Sequence, residues 1–220
     1  MQRLAIAVAS FALLFSAAAA TAQEGIGEVS AQLTGQFTRD SNGFGNTQSA
    51  SNSAGLLVGY RHKIFRWISA EGNYGYSRDT QRYFTSGTTP TTGFPFPNLI
   101  RVLGTPQARV QSDTHQATGG LVFNLPFVKG IRPYVLAEGG ALVFAPTRNP
   151  FGSVTGTVRD AEGVFVYGGG FDFPIVSSHL LARAEYRGLL YHAPDFGLSA
   201  LNTTNVTHTA QPSVGLAYRF

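Results

Sequence analysis

Val206-Thr207-His208-Thr209-Ala210-Gln211-Pro212-Ser213-Val214-Gly215-Leu216-Ala217-Tyr218-Arg219-Phe220 closes the sequence, and reading every second residue sorts it into two lists. Val206, His208, Ala210, Pro212, Val214, Leu216, Tyr218 and Phe220 form one; Thr207, Thr209, Gln211, Ser213, Gly215, Ala217 and Arg219 form the other. A period of two is the pattern of a β-strand with one apolar and one polar face. A last strand of this kind, apolar outside and polar inside and ending on an aromatic ring, suggests a barrel wall set in lipid.

Working back from that strand, the same parity recurs seven times. Val29, Ala31, Leu33, Gly35 and Phe37 oppose Glu28, Ser30, Gln32, Thr34 and Gln36. Leu56, Val58 and Tyr60 oppose Leu57, Gly59 and Arg61, and Ile68, Ala70, Gly72, Tyr74 and Tyr76 oppose Ser69, Glu71, Asn73 and Gly75. Further strands carry outward residues at 117–125, 135–143, 165–173 and 180–190. The Ser/Asn/Gly-rich stretch 40–53, the Pro-containing excursion 77–116, and stretches 147–157 and 193–205 read as long loops. Between them lie short connections at 63–66, 126–130 and 174–178. Four long and three short connections in alternation require eight antiparallel strands in up-and-down order. Both termini then fall on the short-turn side, the asymmetry of an eight-stranded transmembrane β-barrel.

The charges obey the same parity. Glu28, Arg61, Glu71, Glu138, Asp172, Arg183, Glu185, Arg187 and Arg219 all lie on polar faces. An arginine facing lipid at mid-bilayer costs about 2–4 kcal/mol, so lipid imposes this sorting. Phe65, Trp67, Phe127, Phe173, Tyr218 and Phe220 gather near the short turns, where an interfacial girdle belongs. The 26 glycines, 17 phenylalanines and 9 tyrosines fit a wall whose hydrophobicity is diluted by a polar interior. A soluble eight-stranded barrel is the rival, but it would crowd Phe165, Tyr167, Phe171 and Phe173 into a narrow lumen. The net charge of +4 is too small and too scattered for a nucleic-acid footprint.

Residues 1–22 stand apart from the fold. Arg3, an apolar run at 4–15 and Ala20-Thr21-Ala22 have the three parts of a cleaved signal peptide, leaving a barrel domain at 23–220. The absence of cysteine excludes a lipid-anchored lipoprotein, disulfides and thiol chemistry.

With these features the chain resembles the small eight-stranded outer-membrane barrels of the OmpA/OmpX type, over essentially its whole mature length. The most specific element is Ser213-Val214-Gly215-Leu216-Ala217-Tyr218-Arg219-Phe220, with Ser213, Gly215, Tyr218 and Phe220 matching the terminal insertion signal of such proteins. The resemblance implies residence in the outer membrane and a transient partner, the barrel assembly machinery, which reads that strand by β-augmentation. Some OmpA-type proteins append a peptidoglycan-binding domain; none is expected here.

Candidate chemistry lies in the lumen and one loop. Arg61, Glu71, Glu138, Arg183, Glu185 and Arg187 face inward on nearby strands. They read as an internal ion-pair network, since unpaired charges there are costly, or alternatively as a gate whose pairs exchange to admit ions. No histidine among His62, His115, His179, His192 and His208 has serine two residues on, as in the barrel lipid A deacylases. Paired Asp and His of the omptin protease kind are likewise not evident, and no metal-ligand spacing appears. In the second long loop, Tyr83, Phe84, Phe94 and Phe96 put apolar bulk where water is expected. They read either as a surface-contact site for lipopolysaccharide, a host surface or a partner, or as residues that pack over the barrel mouth or prolong the strands above the membrane. The function expected is structural or surface-interaction without catalysis or cofactor. A narrow passive pore is the alternative and a lipid-modifying enzyme a distant third.

Overall fold

The computed structural model describes residues 27–43, 45–85, 108–126, 130–147, 158–175, 179–197, 203 and 205–220. The signal-peptide segment, Phe94, Phe96 and Phe127 lie outside the described residues. The strands are β1 (Gly27–Thr38), β2 (Ser41–Gly43), β3 (Asn46–Ala50), β4 (Ser53–Lys63), β5 (Ile68–Thr85), β6 (Ala108–Asn124), β7 (Arg132–Pro146), β8 (Asp160–Pro174), β9 (Leu180–His192) and β10 (Val206–Arg219). Eight of them form the wall. Each pairs antiparallel with its sequence neighbour along the order β4-β5-β6-β7-β8-β9-β10, and β1 closes the barrel between β10 and β4. β2 and β3 form a hairpin outside the barrel proper, with β3 added to the upper edge of β5.

The alternation in the sequence becomes a division between wall and lumen. Leu33, Leu56, Phe165, Phe171, Val214, Leu216 and Tyr218 are exposed on the outer surface, while Gln32, Thr34, Arg61, Asp172 and Ser213 on the same strands are buried. Burying polar and exposing apolar side chains is unfavourable in water and favourable in a bilayer. Near the short turns, Phe65, Trp67, Phe173 and Tyr218 point outward, and the Trp67 ring stacks on Phe123 at 6.3 Å. These amphipathic rings mark one edge of the apolar band.

Two stretches differ from the sequence reading. The excursion assigned to 77–116 begins as strand and ends as strand: β5 runs on to Thr85 and β6 starts at Ala108. Likewise 40–53 contains β2 and β3 rather than loop alone. The reason is that the apolar half of the pattern is a requirement of lipid and not of the β-ladder. Past Tyr76 the outward positions become Arg78, Thr80 and Arg82, so the hydrophobic signal fades while hydrogen-bonded register continues from Arg78↔Asp113 to Tyr83↔Ala108.

The closing seam has its own irregularity. β1 and β10 pair continuously from Glu28↔Arg219 to Thr34↔Ser213, skip the rungs of Gly35 and Gln36, and resume at Phe37↔Ala210. Pro212 stands opposite the gap and has no N–H to donate. At the other end the Phe220 amide donates to Gly27 O at 3.0 Å, and the Gly27 amide to Phe220 O at 3.3 Å. The last residue therefore completes the ladder.

Candidate functional site

The lumen is where chemistry-bearing side chains converge, because odd- or even-numbered positions of all eight staves point into it. It is layered along the barrel axis.

At the short-turn end is an open vestibule of about 370 Å³ lined in part by Lys63, Arg66, Arg132 and Arg219, with Arg61, Glu28 and Asp172. Beneath it lies a dense ionic layer. The Arg61 Nε donates to Glu71, and its guanidinium also lies 3.5 Å from Asp172 and 3.9 Å from Glu28. The Arg61 guanidinium rests 4.1 Å from the centre of the Tyr134 ring, a cation–π contact. Arg183 bridges Glu28 and Asp172, with two bonds to Asp172 of 2.7 and 2.9 Å. Arg187 is fully buried. It pairs with Glu138, donates to Glu185 at 3.2 Å and to Thr118 at 3.3 Å, and lies 3.8 Å from Glu71. Arg219 donates to Glu28 at 2.9 Å.

Five carboxylates (Glu28, Glu71, Glu138, Asp172, Glu185) thus face four guanidiniums. Neutral donors supply part of the remaining stabilisation: Asn73 Nδ2 bonds both Glu71 and Glu138 at 3.0 Å, and the Tyr134 hydroxyl bonds Glu185 at 2.6 Å. Tyr134 fits because Gly170 faces it; a Cβ at 170 would sit 2.6 Å from the Tyr134 Oη. All six nominated residues, Arg61, Glu71, Glu138, Arg183, Glu185 and Arg187, come together in this layer. Glu28, Asp172, Arg219, Asn73 and Tyr134 join them. Their inward parity was visible in the sequence, but which inward residues share a height depends on the stagger between strands.

Above the ionic layer, Gln116 and Gln211 are joined by a 3.0 Å bond. Higher still the filling is apolar: Leu142, Phe144, Val164, Leu189 and Tyr191, capped by Tyr83 and Phe196. Two cavities in this upper half measure about 20 and 10 Å³, room for about one water each. Phe196 comes from the β9–β10 connection, meets Phe144 edge to face at 6.3 Å, and holds a left-handed backbone (φ 52°) that non-glycine residues seldom adopt. Tyr83 is completely buried, its hydroxyl donating to Pro194 O at 2.8 Å, so it belongs to this cap and is not a surface-contact residue. Phe84 stays half-buried on the outer side of β5.

Beside the cap, and above the apolar band, Asp79 accepts hydrogen bonds from Ser112 (2.9 Å) and Gln81 (3.2 Å). Burial away from any cation raises its carboxyl to about 6. Among the described residues no group of His, Asp or Glu is arranged to hold a metal ion.

The four residues of the terminal motif divide by face. Ser213 points inward and donates to Gln32 at 2.8 Å. Gly215 lies so close to β1 that a Cβ would collide with Ala31 O and come within 2.6 Å of Gln32 Cα. Tyr218 points outward beside the His179 ring, 6.3 Å away, and Phe220 packs against Gly27.

The family model described as the outer membrane protein beta-barrel domain matches residues 6–220. Among solved structures, the chain is similar to Neisserial surface protein A (TM-score 0.50, 9% identity, covering 88% of this chain and 97% of that one). It is also similar to OprG from Pseudomonas aeruginosa (TM-score 0.48, 11% identity, 90% and 97% covered) and to Ail, the attachment invasion locus protein of Yersinia pestis (TM-score 0.45, 16% identity, 90% and 100% covered). No curated protein matches the sequence. At these identities the structural likenesses concern the fold alone.

Proposed function

The chain belongs to the outer membrane protein beta-barrel family, and within it we propose a closed barrel that holds a surface-exposed platform in the outer membrane and performs no catalysis. The observation that supports a closed barrel is the double filling of the lumen. A solute entering from the vestibule meets Arg61, Arg183 and Arg187 locked between carboxylates, and beyond them an apolar cap around Phe144, Tyr83 and Phe196. Eight strands leave a lumen that side chains can fill, and here they fill it. The platform is the part of β5 and β6 that rises past the apolar band, widened by β3. Its position on the long-loop side supports a surface-interaction role, and the connecting residues 86–107 carry Phe94 and Phe96.

The vestibule favours the second reading, a narrow passive pore. Planar-bilayer recording on the refolded protein separates the two. The closed barrel gives no steady conductance; a steady conductance altered by Glu138→Gln or Arg183→Gln would establish the pore instead. Delivery is part of the proposal: cleavage after residue 22 and recognition of Ser213, Gly215, Tyr218 and Phe220 by the barrel assembly machinery. Loss of folded protein from the outer membrane on Phe220→Ala, with refolding in vitro unimpaired, is the expected result.

A further inference from the structure

The vestibule at the short-turn end holds more positive charge than the ionic layer beneath it uses. Lys63, Arg66, Arg132 and Arg219 line it, together with Arg61, Glu28 and Asp172. Both of those carboxylates are already engaged. Asp172 accepts two bonds from Arg183, at 2.7 and 2.9 Å, and lies 3.5 Å from Arg61. Glu28 accepts from Arg183 and, at 2.9 Å, from Arg219. Among the described residues neither Lys63 nor Arg66 has a carboxylate within 4.0 Å. Adding Lys63, Arg66 and Arg132 to the four guanidiniums of the layer sets seven cations against five carboxylates, so these side chains leave two positive charges in excess.

The excess faces the axis. Lys63 shares the lumenal face of β4 with Arg61, and Arg132 that of β7 with Tyr134, by the two-residue period of a strand. At the same end Phe65, Trp67, Phe173 and Tyr218 are exposed on the outer face, so the wall stands between the vestibule and the surrounding lipid. A neutral donor is present as well. Ser69, opposite Lys63 on the β4–β5 ladder, is buried and lines the cavity. Its Oγ accepts from Asn124 Nδ2 at 2.9 Å, which leaves its own O–H for another acceptor.

Cations gathered in one mouth repel each other, and an anion held among them reverses the sign of that cost. The volume of about 370 Å³ lies at the small end of ligand pockets, about 300–1,000 Å³, which suits one phosphate or diphosphate group with part of its water. Two or more negative charges match the excess. Several acceptor oxygens match the guanidinium forks of Arg66 and Arg132, with Lys63 as a point charge, whereas a single carboxylate brings one charge and two oxygens. We propose that the vestibule is a binding site for a soluble phosphate-bearing anion that enters from the short-turn side, with Lys63, Arg66 and Arg132 as its cationic ligands and Ser69 as a neutral donor. The inward lining favours a soluble phosphate over the headgroup of a lipid outside the wall. The ionic layer makes the vestibule a blind mouth that holds the anion without passing it on. That blind end rests on the closed-barrel reading, and the binding itself does not.

The test is isothermal titration calorimetry of the refolded chain in maltoside micelles and phosphate-free buffer. Inorganic phosphate, pyrophosphate, succinate and dihexanoyl phosphatidylglycerol are titrated in separate arms. Wild type binds pyrophosphate at one site, inorganic phosphate more weakly, and succinate at least about tenfold more weakly than pyrophosphate. Lys63→Gln/Arg66→Gln weakens pyrophosphate binding about tenfold, and added salt weakens it in wild type. Arg39→Gln/Arg159→Gln removes the same charge from exposed positions at the long-loop end and changes binding less than about twofold. Folding of each variant is checked by heat-modifiable gel mobility. Equal binding by wild type and the folded Lys63→Gln/Arg66→Gln variant overturns the site, and equal losses in the two double variants overturn it too, as an effect of net charge. Succinate bound as tightly as pyrophosphate overturns the phosphate assignment, and phosphatidylglycerol bound more tightly than pyrophosphate overturns the soluble source. None of these results bears on conductance, so the closed-barrel reading stands or falls separately.

Discussion

Replacing Arg187 by glutamine removes the most enclosed charge among the described residues. Its guanidinium has no solvent exposure and lies within 3.8 Å of three carboxylates, Glu138, Glu185 and Glu71. Arg61 and Asn73 still reach Glu71, and Tyr134 still donates to Glu185. Glu138 keeps the Asn73 amide and the Thr118 hydroxyl, both neutral donors. Breaking one side of a buried pair costs about 3–5 kcal/mol, because the partner is left charged and unsolvated. That is a large share of a stability of about 5–15 kcal/mol. Glu138→Gln is milder, about 1–3 kcal/mol, since Arg187 retains Glu185 and Glu71.

The double variant Arg187→Gln/Glu138→Gln removes both charges at once. Its cost falls below the sum of the singles by at least about 1.5 kcal/mol, the coupling expected of contacting charged groups. Urea unfolding of the refolded barrel in phospholipid bilayers, followed by circular dichroism and gel mobility, supplies the three numbers. If Arg187→Gln costs less than about 1 kcal/mol, or the two single costs simply add, the ionic layer does not work as argued. Water would then be reaching charges that the packing encloses.

Three further outcomes follow from other parts of the molecule. Asp79 has a folded value near 6 against 3.8 for an ordinary aspartate, so the folded state holds the extra proton. Stability therefore falls as pH rises from about 4 to about 6, by up to about 3 kcal/mol, and Asp79→Asn flattens that slope in urea titrations across the window. Gly215→Ala, whose new methyl meets the β1 backbone, costs about 1–3 kcal/mol and weakens the folded gel band. Gly139→Ala, with open space around its Cβ on the outer wall, stays within about 0.5 kcal/mol. Phe196→Ala empties the cap and lowers stability by about 3 kcal/mol in the same unfolding assay, while bilayer recordings remain silent because the ionic layer still closes the lumen.

The fold was legible because lipid and lumen impose opposite demands on adjacent residues, and those demands repeat in all eight staves. Leu33 beside Thr34, or Phe171 beside Asp172, carries that contrast in two letters. It weakens where the wall leaves the bilayer. Arg78, Thr80 and Arg82 continue the ladder without an apolar partner list, which hid the upper half of β5 and the start of β6. The ionic layer was half visible: inward parity identified its members, but the stagger that sets Tyr134 over Arg61 and Asn73 between two glutamates is three-dimensional. The cap was visible only in part: packing over the barrel mouth was one reading of Tyr83, but Phe196 was not expected there. Nothing in Asp195-Phe196-Gly197 marks a buried ring, because what buries it is the closeness of β5, β7 and β9 at the mouth. The gathering of Lys63, Arg66 and Arg132 escaped for a simpler reason, since it exists only once the staves close into one mouth.

The two fillings of the lumen divide the labour in a way that bears on what the outside of the barrel can do. The ionic layer is held entirely by residues on staves, from Glu28 on β1 to Arg219 on β10, and borrows nothing from the long connections. The cap does borrow: Phe196 and Pro194 come from a connection, and Tyr83 and Gln48 from the ribbon above the band. A change in the surface segments can therefore disturb the cap and yet leave the barrel closed, because an ion would still have to replace arginine–carboxylate bonds made in a poorly hydrated interior. In the proposed closed barrel, sealing rests at one end on the wall itself, and the other end is free to carry a surface. That separation is the strongest physical reason to look for this protein's cell-surface activity on the β3–β5–β6 platform, and not along its axis.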